Sequence, residues 1–227
     1  PHQETVVLPA QSTEKYTFKV TFDEDLFNQP EAYYDNFVLP VVSVSYPRGR
    51  RDQTVDKQLE RVYVAGKGKL SWNVEGMAAA FVTPADLAVS GMARGLVQIY
   101  DELLSGKFNR SNIGKAAIIF DAMGVYSLSY QADQKTPFAN VAADKTIFDT
   151  VQYPSELLAK PEGVDVKIGD CDDLTVLYAS LLENLSIDTA FLEANDPGKG
   201  HIYLMFDSGI ARDKAEDHFL STAEYVE

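Results

Sequence analysis

The chain has 227 residues, 45% of them apolar, so a sizeable core can be buried and bulk disorder is excluded. Its net charge of −14, from 20 basic and 34 acidic residues, argues against nucleic acid or an anionic membrane as partner, since both recruit basic patches. The single cysteine excludes an intrachain disulfide and a cysteine-cluster metal site, and no stretch approaches the roughly 20 apolar residues of a membrane span.

The chain opens on Pro1 without a charged-then-apolar leader, as expected of a mature form or an excised fragment. Residues 1–86 read as a β-rich region, a small antiparallel sheet or sandwich. Lys15 to Phe22 alternates polar and apolar, as a half-buried strand does. Phe37-Val38-Leu39 and Val41 to Tyr46 form a second strand region, with Pro40 marking an edge or bulge. Arg61 to Ala65 and Lys69 to Val74 flank Gly66-Lys67-Gly68 and predict a hairpin. Ala78 to Val82 is a further strand candidate, stopped by Thr83-Pro84. The cationic cluster Arg48, Arg50 and Arg51 reads as a solvated turn.

Residues 87–227 read as the second domain. Ala88 to Ser105 carries apolar residues at helical spacing and stops at Gly106. Ile113 to Met123 predicts another helix. Tyr126 to Thr150 is polar, has little periodicity and reads as a long surface loop. Leu174 to Leu185 is apolar on nearly every face, so its helix is buried on most sides. Asp188 to Ala194 and His201 to Phe206 follow as strands around a turn or short loop from Asn195 to Gly200, and the tail from Asp207 to Glu227 is acidic.

Cys171 lies in Gly169-Asp170-Cys171-Asp172-Asp173-Leu174, at the start of that buried helix. Unpaired N–H groups and the dipole of a helix N-terminus favour a negative sulfur. An imidazole from His201 can take its proton and later return it. The three aspartates oppose the thiolate by like charge, and one of them is expected to cap the helix. A lone cysteine beside a buried helix is usually inert packing, and a lone histidine on a strand is more often structural than catalytic.

The pieces Val151-Gln152-Tyr153-Pro154, Gly169 to Leu174, Leu181-Leu182-Glu183 and Gly200-His201-Ile202-Tyr203-Leu204 resemble the transglutaminase-like superfamily of papain-like thiol enzymes. Over residues 151–206 they are similar in particular to bacterial transglutaminase-like domains within larger proteins. The resemblance implies an α+β papain-like core, helices packed on an antiparallel sheet, preceded by the β-rich region. It implies Cys171 as nucleophile, His201 as base and Gln152 as oxyanion donor, with an ordinary surface residue as the alternative for Gln152. A carboxylate should orient the histidine. Asp207 shares a strand face with His201, but six residues of strand separate them by roughly 20 Å. Asp213, Glu216 and Asp217 are later candidates, and a chain that stops before the next strand, or lacks this acid, is the remaining expectation.

The implied chemistry is acyl transfer on an amide of a protein or peptide, as a peptidase, amidase or crosslinking enzyme. Two other readings stand beside it: a transglutaminase-like module that binds without catalysis, and a β-rich part that recognises a peptide or polysaccharide at a sheet edge. No cofactor and no metal are expected. Dinucleotide, phosphate-loop and paired-histidine zinc motifs are absent, and Asp170-Cys171-Asp172-Asp173 lacks the glycine and distal glutamate of a helix–loop–helix calcium loop. Compartment, between bacterial periplasm and cytoplasm, and oligomeric state are unassigned.

Overall fold

The computed structural model describes residues 3–7, 9, 12–17, 19, 35–103, 110–132, 144, 147–159, 167–196 and 199–214. The chain is mixed α+β and divides into two compact units, Pro1–Lys67 and Gly68–Glu227. Of the strand expected at 15–22, residues 15–17 and 19 are described and form no strand; the rest of it, and the acidic tail beyond 214, lie outside the described residues.

In the first unit, β1 (Asn36–Val38) pairs antiparallel with β4 (Val62–Val64). Phe37 stands opposite Tyr63, their rings edge-to-face at 5.6 Å, with the Arg61 guanidinium 4.7 Å over Phe37. A separate hairpin joins β2 (Val41–Arg48) to β3 (Arg51–Gln58). Its Gly49-Arg50 turn needs a positive φ, which Gly49 adopts at 67°. The region expected as one broken strand is therefore two strands in two sheets, parted at Leu39-Pro40. The Pro40 carbonyl accepts from Leu59 N–H at 2.9 Å.

The hairpin expected around Gly66-Lys67-Gly68 does not form. β5 (Lys69–Leu70) pairs instead with β7 (Asp149–Thr150) in the second unit. The glycines are engaged elsewhere: Gly66 N–H donates to Asp35 at 3.0 Å, and the Gly68 carbonyl accepts from Val151 N–H at 2.9 Å. A Cβ on Gly68 would stand 3.3 Å from the Val151 carbonyl oxygen, so this close strand approach favours glycine.

The second unit is built around α4 (Cys171–Asn184). Helices α1 (Leu87–Leu103), α2 (Asn112–Val125) and the short α3 (Pro154–Leu158) pack against it. Val89 and Ala93 of α1, Ile119 and Met123 of α2, and Leu177, Leu181 and Leu182 of α4 form one core cluster. A second cluster surrounds Cys171: Leu70, Trp72, Ala78, Phe81, Val151, Val176 and Ile202. Residues 68–86, placed by the sequence in the β-rich region, thus belong to the core that holds the cysteine. Met77–Phe81 is a short 3-10 helix, not a strand. Ala78 and Phe81 are both buried, which is the three-residue spacing of such a turn rather than alternation.

The expected loop over 126–150 contains structure at both ends. β6 (Leu128–Tyr130) pairs in parallel with β8 (Lys167–Gly169), and β7 closes on β5; residues 133–143 lie outside the described set. β9 (Thr189–Asp196) and β10 (Lys199–Phe206) form an antiparallel hairpin that sets His201 opposite Ala194 and Ile202 opposite Glu193. No helix among the described residues is long and apolar enough to cross a membrane.

Candidate active site

Cys171 is the first residue of α4, and Asp170 is its cap, with extended backbone at φ −95° and ψ −159°. The Asp170 carboxyl accepts from Asp173 N–H at 3.5 Å, and the Asp173 carboxyl accepts from Asp170 N–H at 3.3 Å, a reciprocal capping box. Gly169 makes this approach possible. A Cβ there would fall 2.9 Å from the Asp173 Cβ.

The sulfur is buried, with Cys171 only 7% exposed. Backbone hydrogen bonds from Ile202 and Asp172 reach it and favour a thiolate. They are outweighed. Burial, and then the charges of Asp172 and Asp170, push the thiol up to about 12. In this arrangement the site holds a neutral thiol at neutral pH.

Four aspartates converge on this end of α4, all buried: Asp149, Asp170, Asp172 and Asp173. Asp149 accepts from Trp72 Nε1 and from Thr150 N–H, both at 2.9 Å. Asp172 Oδ1 accepts from Asp173 N–H at 3.0 Å, while its Oδ2 meets no donor. Burial first, and then the adjacent Asp170, push the Asp172 carboxyl up to about 10. A protonated Asp172 becomes the donor to Asp170, so the two acids share one proton and the unmet oxygen is accounted for. Asp170, Cys171 and Asp172 each bring one ligand atom within 4.8 Å of the others, two oxygens and a sulfur able to hold a divalent cation. A shared proton satisfies the same pair without one.

Gln152 stands beside the site but is occupied. Its backbone N–H donates to Asp173 Oδ1 at 2.7 Å, and its side-chain Nε2 donates to Asp173 Oδ2 at 2.8 Å and to the Ile168 carbonyl at 3.1 Å. Both amide hydrogens are thereby used. Gln152 ties the segment before α3 to the start of α4, and in this arrangement it has no donor left for an oxyanion.

β10 reaches the sulfur one residue beyond the histidine, at Ile202. Ile202 is buried in the Cys171 cluster. By alternation His201 and Tyr203 share the opposite strand face, and their rings meet edge-on at 4.4 Å. The cysteine and the histidine strand are brought together, and the imidazole lies against the Tyr203 ring.

Asp207 is not beside His201. It lies past the far end of β10, where its carboxyl accepts from Gly209 N–H at 2.8 Å and its N–H donates to the Asp188 carbonyl at 2.9 Å. The chain does turn there, Gly209 having φ 72°, but the turn closes on Asp207 and Asn112, not on His201. Asp213 is exposed on a short 3-10 turn, Arg212–Lys214, and Glu216 and Asp217 lie outside the described residues. Tyr130, Trp72 and Asp149 are neighbours of the site that the sequence did not single out. Compared with known proteins, the chain matches no family model, no curated protein and no solved structure.

Proposed function

We propose that residues 68–227 form a papain-like, transglutaminase-like domain in which Cys171 performs acyl transfer on a peptide or protein amide. One observation carries the reading. The chain's only cysteine opens a capped, buried helix, with its sulfur against the backbone of the strand that bears His201. A thiol placed there has helix N–H groups around it and an imidazole one residue from the contact.

The described arrangement is the resting form, with the sulfur protonated. Reaction requires the His201 ring to leave Tyr203 and take the thiol proton. Sγ then bonds to the carbonyl carbon, and the Cys171 backbone N–H meets the developing oxyanion. Collapse breaks the C–N bond, His201 returns the proton to the leaving amine, and a thioester remains. Water as acceptor gives a hydrolase; a lysine amine gives a crosslinking transferase.

Incubation with glutaminyl and mixed peptides, acid quenching and mass spectrometry test this reading. An acyl mass on Cys171, with release of ammonia or an amine and no adduct in Cys171→Ala, is the expected result. A second reading, a module of the same fold that binds without catalysis, is favoured by the raised thiol pKa, the committed Gln152 donors and the distant Asp207. Absence of any adduct across the peptides sinks the first reading and leaves the second.

A further inference from the structure

The acyl-transfer reading leaves the site one donor short, since Gln152 spends both amide hydrogens inside the protein. A different side chain is placed to supply it. β6 lies parallel to β8 with Tyr130 directly opposite Gly169, two residues before the nucleophile. Gln131 N–H donates to the Gly169 carbonyl at 3.0 Å and fixes that register. Leu128 and Tyr130 lie on one strand face. Leu128 packs on the core, so that face is turned inward, over the buried Lys167 and Gly169 of β8.

Tyr130 nevertheless remains 59% exposed, so its side chain is within reach of a substrate. It is an exposed donor near a cysteine that is itself only 7% exposed. Partial burial, and then the charges of Cys171, Asp170 and Asp172, raise its pKa. The register opposite Gly169 sets Tyr130 beside the start of α4, and a phenol is protonated at neutral pH even before this rise.

We infer that Tyr130 is the side-chain oxyanion donor of this site, an inference that rests on the acyl-transfer reading. As the C–S bond forms, the carbonyl π pair moves onto oxygen, and the phenol O–H donates a hydrogen bond to it without losing its proton. When the oxyanion collapses, the pair returns to the carbonyl, the leaving group departs, and the hydrogen bond is released. A neutral donor in a partly dry site strengthens as charge develops on its acceptor, which lowers the barrier more than it tightens substrate binding.

Two reagents separate this role from a structural one in the full chain. p-Nitrophenyl acetate acylates a thiol through an oxyanion; iodoacetamide alkylates it by displacement, with no oxyanion formed. Tyr130→Phe keeps the ring and removes only the hydroxyl. Acylation of Cys171, confirmed by peptide mass mapping, is expected to slow by about 100-fold, while alkylation stays within about twofold. Equal slowing of both reactions, or no slowing of either, overturns the role for Tyr130 and leaves the acyl-transfer reading standing. No acylation of Cys171 in the wild type overturns that reading and the role together.

Discussion

Stability is expected to fall as pH rises from about 4 towards about 10, the reverse of a protein held by carboxylate ion pairs. The acids at the start of α4 cause this. Asp172 titrates near 3.8 when unfolded and about 10 when folded, chiefly because it is buried and then because Asp170 lies beside it. Throughout that interval Asp172 is protonated in the folded chain and ionised in the unfolded one. The slope of unfolding free energy with pH follows the unfolded-minus-folded difference in bound protons, so it is negative. Stability from this group is complete below pH 4 and is lost as pH climbs through the folded value.

Asp173 acts the same way over a narrower window, from 3.8 to about 6, again mainly through burial. That shift alone corresponds to about 3 kcal/mol. The thiol of Cys171, raised from 9.0 to about 12, extends the decline into alkaline solution. Urea unfolding at pH 5 and at pH 8.5 should give a clearly higher midpoint at pH 5. Asp172→Asn should flatten the difference and stabilise the protein at pH 8.5. Its amide N–H donates to Asp170 as the protonated acid does, and its carbonyl keeps the bond from Asp173 N–H. A midpoint that is flat or rises with pH would contradict the shared-proton account.

Asp173→Ala carries the second large effect, a loss of about 3 kcal/mol or more. This carboxyl accepts from Gln152 N–H, Gln152 Nε2 and Asp170 N–H, at 2.7, 2.8 and 3.3 Å. Truncation leaves three donors without this acceptor, one buried and two half-buried, and an unmet buried donor costs about 1–3 kcal/mol. It also releases the tie between the start of α4 and the segment holding Gln152. Removing an ionisable acid with a raised pKa partly offsets the loss at high pH, so the cost should be greater at pH 5 than at pH 8.5. A change below about 1 kcal/mol in urea at pH 5 would show that this carboxyl is not the clamp its contacts describe.

The helices and the last hairpin were legible because their signals are local. Leu174 to Leu185 is apolar on nearly every face, and α4 is indeed the element against which the other helices of its unit pack. An aspartate cap was expected at its start, and Asp170 provides it. The turn or loop expected over 195–200 located the hairpin, and the strands run further into it, to Asp196 and from Lys199. Elements of two or three residues carry no such periodicity. β6 is three residues long and β7 is two, and each exists through its partner, β8 or β5. Met77–Phe81 misled for a related reason: Ala78-Ala79-Ala80-Phe81-Val82 has no polar residue from which to read a period.

The site was legible as a list of residues more than as a geometry. The helix start placed Cys171. The face that His201 presents could not be read, since His201-Ile202-Tyr203-Leu204-Met205-Phe206 is apolar after its first residue and neither parity stands out. Burial of Ile202 at 1% settles it, because the core takes the even positions. Trp72 and Asp149 come from distant stretches that meet only when β5 pairs with β7, so no local signal marks their hydrogen bond. Gln152 was weighed between an oxyanion donor and a surface residue; its contacts are those of a structural link to Asp173.

The central claim is that Cys171 rests as a neutral thiol, held so by burial and by the two aspartates flanking it in the sequence. The rate of its alkylation by iodoacetamide, followed against pH in the wild type and in Asp170→Asn, tests this most directly. Asparagine caps a helix about as well as aspartate, so the variant should fold and lose only the charge. The account predicts slow alkylation at pH 7, a rise only in strongly alkaline solution, and a titration moved towards lower pH in the variant. A wild-type thiolate titrating below about 8.5, unmoved by Asp170→Asn, would contradict it.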